Sequence, residues 1–270
     1  MTDGSPASRG HLNPGEEGVE FDRFELGPAP GLAELVRHVW VARWSVPEGE
    51  TREQRMVTYP AFNVVMQPEG AMLAAPDPKL SVVSLQGDSW VVGVLFRPAA
   101  GPVLCGSAHP RDLLGLGVPY DGAPVRDVAA AMEETDAVAR RRRLIAVLRA
   151  WLVPLTGEVG ERGRLMNRVG ALAEGDDGIL RSSQLAEASG LGIRALERLV
   201  ADFVGVSPKW LIECRRIQWA ATTLHAGAGT DLSALAAALG YADYSHFSRR
   251  YVSLLGETPE ATRRRGGSAG

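Results

Sequence analysis

Two stretches of this 270-residue chain repeat one pattern: a short apolar step, a glycine, then a second amphipathic segment with buried positions three and four residues apart. The first runs from Ser182 to Val200. In it Leu185 and Ala186 form the step, Gly190 stands at the turn, and Leu196, Leu199 and Val200 recur as anchors. The second begins near Asp231, where Leu232, Leu235, Ala236 and Leu239 precede Gly240, and Asp243 stands where it would cap a helix anchored by Phe247 and Tyr251. Glycine suits the left-handed backbone of so tight a turn, so each stretch is expected to fold as a helix-turn-helix unit. Between them, Ser207-Pro208 is an N-cap residue followed by proline at the first helical position. Trp210, Leu211, Cys214, Ile217, Ala220, Ala221 and Leu224 then recur at helical spacing, which predicts a long helix holding the units a fixed distance apart. Thr258-Pro259 repeats the start signal for a last short helix.

The outward positions of the second helices carry the chemistry. Arg194, Glu197 and Arg198 share the outer face of one; Tyr244, Ser245, His246, Ser248, Arg249 and Arg250 surround the anchors of the other. A cationic and polar helix face fixed to its own core suits the major groove, so double-stranded DNA is the implied partner. The arginines are placed for a base or a phosphate, and Glu197 either to accept from a cytosine amino group or to repel phosphate. Net charge is -3, but it is unevenly divided: 13 basic and 11 acidic residues from Arg164 onward make that part +2, leaving -5 for residues 1–163. A basic half joined to an acidic one suits a DNA module coupled to one that does not touch DNA. The tail cluster Arg263-Arg-Arg265 is expected to be a loose electrostatic anchor.

The order and spacing of Leu196-x-Arg198, Gly205-Val-Ser-Pro208, Arg215 to Leu224, Ala236 to Gly240-Tyr241, Ser245-His-Phe-Ser-Arg249 and Gly256-x-Thr-Pro259 resemble the DNA-binding domain of the AraC family of bacterial transcription regulators, over about Leu165 to Arg265. The resemblance implies that the second helix of each unit enters successive major-groove segments on one DNA face, with Arg194, Glu197, Arg198, Tyr244, Ser245, His246 and Arg249 as the contact residues. It also implies a homodimer and, as further partners, RNA polymerase and a small-molecule effector. Val200 departs from the family, which has phenylalanine there, but stays apolar.

Upstream the pattern is different. Val39–Trp44, Phe62–Met66, Leu80–Leu85 and Trp90–Phe96 are β-branched and aromatic runs separated by Pro47, Gly49, Pro60, Pro68, Gly70, Pro76, Pro78 and Gly87, which predicts a small β-barrel or sandwich. After Pro124, Val128 to Leu155 returns to helical spacing; its Leu148, Trp151 and Leu152 stripe is expected to form a dimer surface or to pack on its own barrel. Arg140-Arg-Arg-Arg143 is expected to be a solvated face with Glu133 and Asp136 nearby. The expected class is α+β multidomain: a disordered lead-in at 1–18, a β-rich sensor or dimerisation domain with C-terminal helices at 19–155, a glycine-rich linker at 156–163, and an all-α double helix-turn-helix domain at 164–265. In the same family the partner domain often senses a small molecule, and this half is similar to cupin-like sensor domains of such regulators. That likeness offers Trp40, Trp44, Trp90, Tyr59 and Phe96 as lining of an apolar pocket or, alternatively, as core.

Other classes find less support. Cys105 and Cys214 are far apart and outside any metal-ligand spacing, and His11, His38 and His109 are each isolated, which argues against a metal-dependent cupin enzyme fused to a regulator. No catalytic residues, metal or cofactor are expected. The longest apolar run, Val91 to Phe96, is strand-sized, so a cytoplasmic protein without a membrane span is expected. A protein-interaction module that has lost DNA would lack the arginines of both outer faces, and they are present.

Overall fold

The computed structural model describes residues 18–56, 59–77, 81–226 and 229–267. Most of the expected lead-in, His11, and Pro78 to Leu80 lie outside the described residues.

Eight strands form the N-terminal half: β1 (Val19–Phe24), β2 (Val36–Ser45), β3 (Arg52–Met56), β4 (Asn63–Gln67), β5 (Gly70–Ala74), β6 (Ser81–Leu85), β7 (Asp88–Phe96) and β8 (Gly117–Pro119). Six make one antiparallel sheet in the order β1-β2-β7-β4-β5-β8, and β3 pairs with β6 as a separate ribbon. Strand alternation sends Val39 and Val41, their partners Val94 and Val92, and Val64 and Met66 to one face, all buried. Helices cover that face: α1 (Leu32–Leu35), α3 (Val125–Met132) and α4 (Ala137–Leu152) join its core through Leu32, Leu35, Val128, Met132, Leu144, Leu148 and Leu152. On the other face the Trp40 indole lies across Gly93, where any Cβ would overlap it.

Several expectations change here. The segment 125–155 is two helices and a 3-10 turn rather than one helix, and Leu148 and Leu152 are spent on its own core. Trp151 packs edge-on against Phe96 and Tyr120. Arg141, Arg142 and Arg143 are exposed as expected, Arg141 pairing with Asp22 and Arg143 with Glu134, but Arg140 is buried and donates to Glu20 and to the Glu134 carbonyl. The five aromatics offered as pocket lining do not meet around a cavity. Phe96 is fully buried, Trp90 packs on the core, Trp40 covers Gly93, the Trp44 ring N–H donates to the Gln86 carbonyl, and Tyr59 joins the two halves.

The C-terminal half is all helix: α5 (Glu161–Gly175), α6 (Ser182–Ala188), α7 (Ile193–Val204), α8 (Pro208–Ala226), α9 (Leu232–Ala238), α10 (Tyr244–Leu255) and α11 (Pro259–Gly267). Residues 156–163, expected to be a linker, are instead the end of a 3-10 turn and the start of α5. Of the three glycines there, Gly163 is buried against Ala99 and Phe203, while Gly157 and Gly160 have open space around them.

A seam joins the halves. The 3-10 turn Pro98–Ala100 and helix α2 (Gly101–Cys105) lie against α5 and α7. Asn167, buried in α5, accepts from the Ala99 backbone N–H at 3.0 Å and donates to the carbonyl and carboxylate of Glu34. Arg37 donates to both carboxylate oxygens of Glu174 at 2.9 and 2.7 Å and stacks over the Tyr59 ring, whose hydroxyl also donates to Glu174. At Gly101 the chain passes so close to α7 that a Cβ would overlap the Phe203 carbonyl oxygen. Gly101→Ala is therefore expected to destabilise the chain by about 1–3 kcal/mol, the cost of overfilling a packed site, seen as a lower urea midpoint in an unfolding titration.

Candidate nucleic-acid interface

The two helix pairs are copies of one design. Leu185 and Leu235, Ala186 and Ala236, and Gly190 and Gly240 stand 50 residues apart; beyond the glycine the separation becomes 51, as in Leu196 and Phe247, Val200 and Tyr251, Val204 and Leu255, and Pro208 and Pro259. Each of these side-chain pairs up to Leu255 is buried in both copies. The turn glycines have φ of +68° and +71°, the left-handed conformation expected of them. The additional residue falls in the turn between Gly240 and Asp243, and the Asp243 carboxylate accepts from the His246 backbone N–H at 2.7 Å and caps α10. The first copy has Gly192 there and no side-chain cap.

Val200 holds its place in the core although it is smaller than phenylalanine, fully buried among Leu185, Leu196, Leu199 and Phe203. With α7 so anchored, Arg194, Glu197 and Arg198 are all exposed, and among the described residues none of these three side chains makes an ion pair or hydrogen bond. In α10, Ser245, His246 and Arg249 are exposed, and Tyr244 is half-buried against Phe247. The His246 ring stands edge-on to Tyr241, and the Arg249 Nε donates to the Ser245 carbonyl at 3.3 Å. Arg198 and Arg249 occupy equivalent positions, 51 residues apart, and both face solvent.

Arg250 is different. Read from the sequence as part of the outer face, it instead clamps Glu213 of α8 with two hydrogen bonds of 2.5 Å, and the Glu213 carboxylate is almost fully buried. That bond raises the Arg250 pKa further above its usual range. Beside it Arg216 stacks on the Tyr241 ring at 4.0 Å, and burial pushes the Tyr241 hydroxyl up to about 12. These contacts fasten α8 to the second unit. From the same middle turn of α8, Arg215 donates to the carbonyls of Asp176 and Ile179 and to Asp177, fastening it to the first. The helix between them is 19 residues, about 28 Å at 1.5 Å per residue, which approaches one turn of B-DNA at about 34 Å. The sequence signal for the Glu213 brace was available: an acid placed among Leu211, Ile212 and Cys214, three buried positions, requires a cationic partner. The tail arginines are likewise engaged within the protein, Arg263 with Thr230 and Glu260, and Arg265 with Glu257.

A family model described as a helix-turn-helix domain matches residues 185–265. The matched part is an AraC-type helix-turn-helix domain, and the chain is a DNA-binding transcription regulator. It binds DNA through this domain, which spans both helix pairs and the brace between them. A second family model, a domain of unknown function (DUF6597), matches residues 24–113 of the regulator's N-terminal half. Among solved structures, the chain is similar to an apo ToxT point variant from Vibrio cholerae strain SCE256, with 12% identity and a TM-score of 0.46, over 84% of this chain and 97% of that one. It is also similar to unsaturated fatty acid bound wild-type ToxT of the same strain, with 14% identity and a TM-score of 0.41, over 90% and 94%. A probable AraC family regulator from Rhodopseudomonas palustris CGA009 shares 26% identity over 38% of this chain and 97% of its own, with a TM-score of 0.34. No curated protein matches.

Neighbouring arginines thus separate into one that faces solvent and one that braces α8. Arg250→Ala strands the Glu213 carboxylate out of water and is expected to lower stability by about 1–3 kcal/mol, less than for a fully buried pair because the guanidinium is 40% exposed. Arg249→Ala should stay within about 0.5 kcal/mol of wild type, and urea midpoints of the two variants check both values.

Proposed function

We propose that α7 and α10 occupy successive major-groove segments of double-stranded promoter DNA, with Arg194, Glu197 and Arg198 contacting one segment and Tyr244, Ser245, His246 and Arg249 the next. The observation that carries this is the equivalent, solvent-facing placement of Arg198 and Arg249 on two copies of one scaffold held by a braced helix. In titration against promoter fragments, log affinity should fall linearly with log salt. Arg198→Ala and Arg249→Ala should each weaken binding by about 1–3 kcal/mol, selectively for one sequence where the arginine meets a base and across all sequences where it meets a phosphate. A salt slope near zero would favour the protein-interaction reading.

The same proposal gives residues 19–155 the control of dimerisation or effector response, residues 164–265 the reading of DNA, and the chain RNA polymerase as a further partner in the cytoplasm. An effector finds support on the face of the sheet that carries Trp40. There His38 and Asn63 flank Leu95 on neighbouring strands, and the His38 Nδ1 and Asn63 Oδ1 are buried without partners. Burial, then Arg23 and Arg37, lower the His38 pKa to about 3, so its imidazole is neutral and free to hydrogen-bond an uncharged group. For the homodimer, the surface left on the helices is a shallow groove of about 550 Å³ between α3 and α4, lined by Ala123, Pro124, Ala146, Val147, Ala150 and Trp151. Sedimentation of the full chain should show a dimer at micromolar concentration, and a monomer throughout that range would remove this part of the proposal.

A further inference from the structure

The reading face of α7 holds one side chain that its scaffold does not explain. Ile193, the first residue of the helix, is 42% exposed and takes no part in the apolar cluster beneath α7. Its counterpart 51 residues on is Tyr244, which is half-buried and packs on Phe247. On most surfaces a lone exposed isoleucine means nothing. Here it stands in the first turn of a helix whose N-terminal residues meet base edges in this kind of docking.

Its neighbours sharpen the point. Ile193 and Glu197 are four residues apart and share one stripe of the helix; Arg194 and Arg198 share the next. Glu197 has Arg194 three residues before it and Arg198 directly after, yet no ion pair with either. A carboxylate kept unpaired on a surface that approaches phosphates weakens binding everywhere, unless it accepts a hydrogen bond from a base. An apolar side chain at the same depth has one partner of matching chemistry in the major groove, the thymine C5-methyl group.

We infer that the Ile193–Glu197 stripe is a specificity element of the first unit. Ile193 packs on a thymine methyl, and Glu197 accepts from the exocyclic amino group of an adjacent base, cytosine being the matching choice. This rests on the reading that α7 enters the major groove, and it goes beyond that reading by assigning an apolar contact and by choosing base over phosphate for Glu197. The second unit has Tyr244 and Ser248 at these positions, so it lacks both the free methyl contact and the carboxylate.

The test uses the full chain and a duplex selected by it from random sequence. Each thymine in the α7 half of that duplex is replaced in turn by deoxyuridine, which removes the methyl and nothing else. At one position the wild-type protein should lose about fourfold in affinity, the worth of one buried methyl group. Ile193→Ala should bind the thymine and deoxyuridine duplexes equally. Glu197→Ala should lose its preference at the neighbouring base pair without binding all sequences more tightly. The inference is overturned when wild type ignores every methyl in that half, or when Glu197→Ala only gains affinity uniformly. Arg198→Ala on the same duplex separates the two levels: if it still weakens binding, α7 is in the groove and only the stripe assignment fails.

Discussion

The position of α7 depends on a backbone approach. Where α2 passes Phe203 of α7, Gly101 leaves no room for a side chain, and the carbonyl of Phe203 occupies the space a Cβ would need. Contact that close fixes distance without directional bonds; direction comes from the polar ties on the α5 side. Asn167 reaches across to Ala99 and Glu34, and Glu174 is held by Arg37 and Tyr59. A sheet whose buried face is filled by its own helices thus ends in a rigid ledge, and the first helix-turn-helix unit rests on it. Half-exposed ion pairs contribute modestly to stability, so the packing carries the energy and the Arg37–Glu174–Tyr59 group carries the orientation.

The second unit is attached differently. Its ties run to α8, through Arg250 and Glu213 and through Arg216 on Tyr241, and α8 is tied in turn to the loop after α5 by Arg215. A change in the N-terminal half therefore acts on α7 directly and reaches the second unit through the middle turn of α8 and through Leu180, which packs against Gly240. This arrangement makes the spacing of the two reading helices a property of the C-terminal half alone, and their shared orientation relative to the sheet a property of the seam.

What could be read in the sequence follows from which interactions are local. Helix starts at Ser207-Pro208 and Thr258-Pro259, the cap at Asp243 and the turns at Gly190 and Gly240 depend on a few adjacent residues, and each stands where expected. The exposed positions of α7 and α10 were legible too, because anchors at Leu196, Val200, Phe247 and Tyr251 leave only certain positions facing out. The failures share a cause. Arg250 beside Arg249, Arg140 among four arginines, and Gly163 in a glycine-rich stretch have identical local grammar whether they meet solvent or a distant segment. Their partners, Glu213, Glu20 and Phe203, lie 37, 120 and 40 residues away, and only tertiary structure brings them together. β1 was missed because Val19–Phe24 carries three charged residues, which make sense only once Glu20 and Asp22 are seen opposite Arg140 and Arg141.

The comparison of the two units separates scaffold from message. Buried positions repeat with equal size or better fill: Leu196 with Phe247, Val200 with Tyr251, Val204 with Leu255. Outer positions do not repeat, with one exception: Arg194 faces Ser245, Glu197 faces Ser248, and Arg198 alone is matched by Arg249. A shared cation at equivalent places on two equivalent helices serves a feature that recurs along the duplex regardless of sequence, while the unmatched residues serve features that differ. The first unit presents opposite charges and an isoleucine, and hence demanding partners, since an unmatched carboxylate or a misplaced guanidinium costs more than an idle serine. The side chains that differ between the units, Arg194, Glu197 and Ile193, thus stand on α7, the helix that the N-terminal half holds directly.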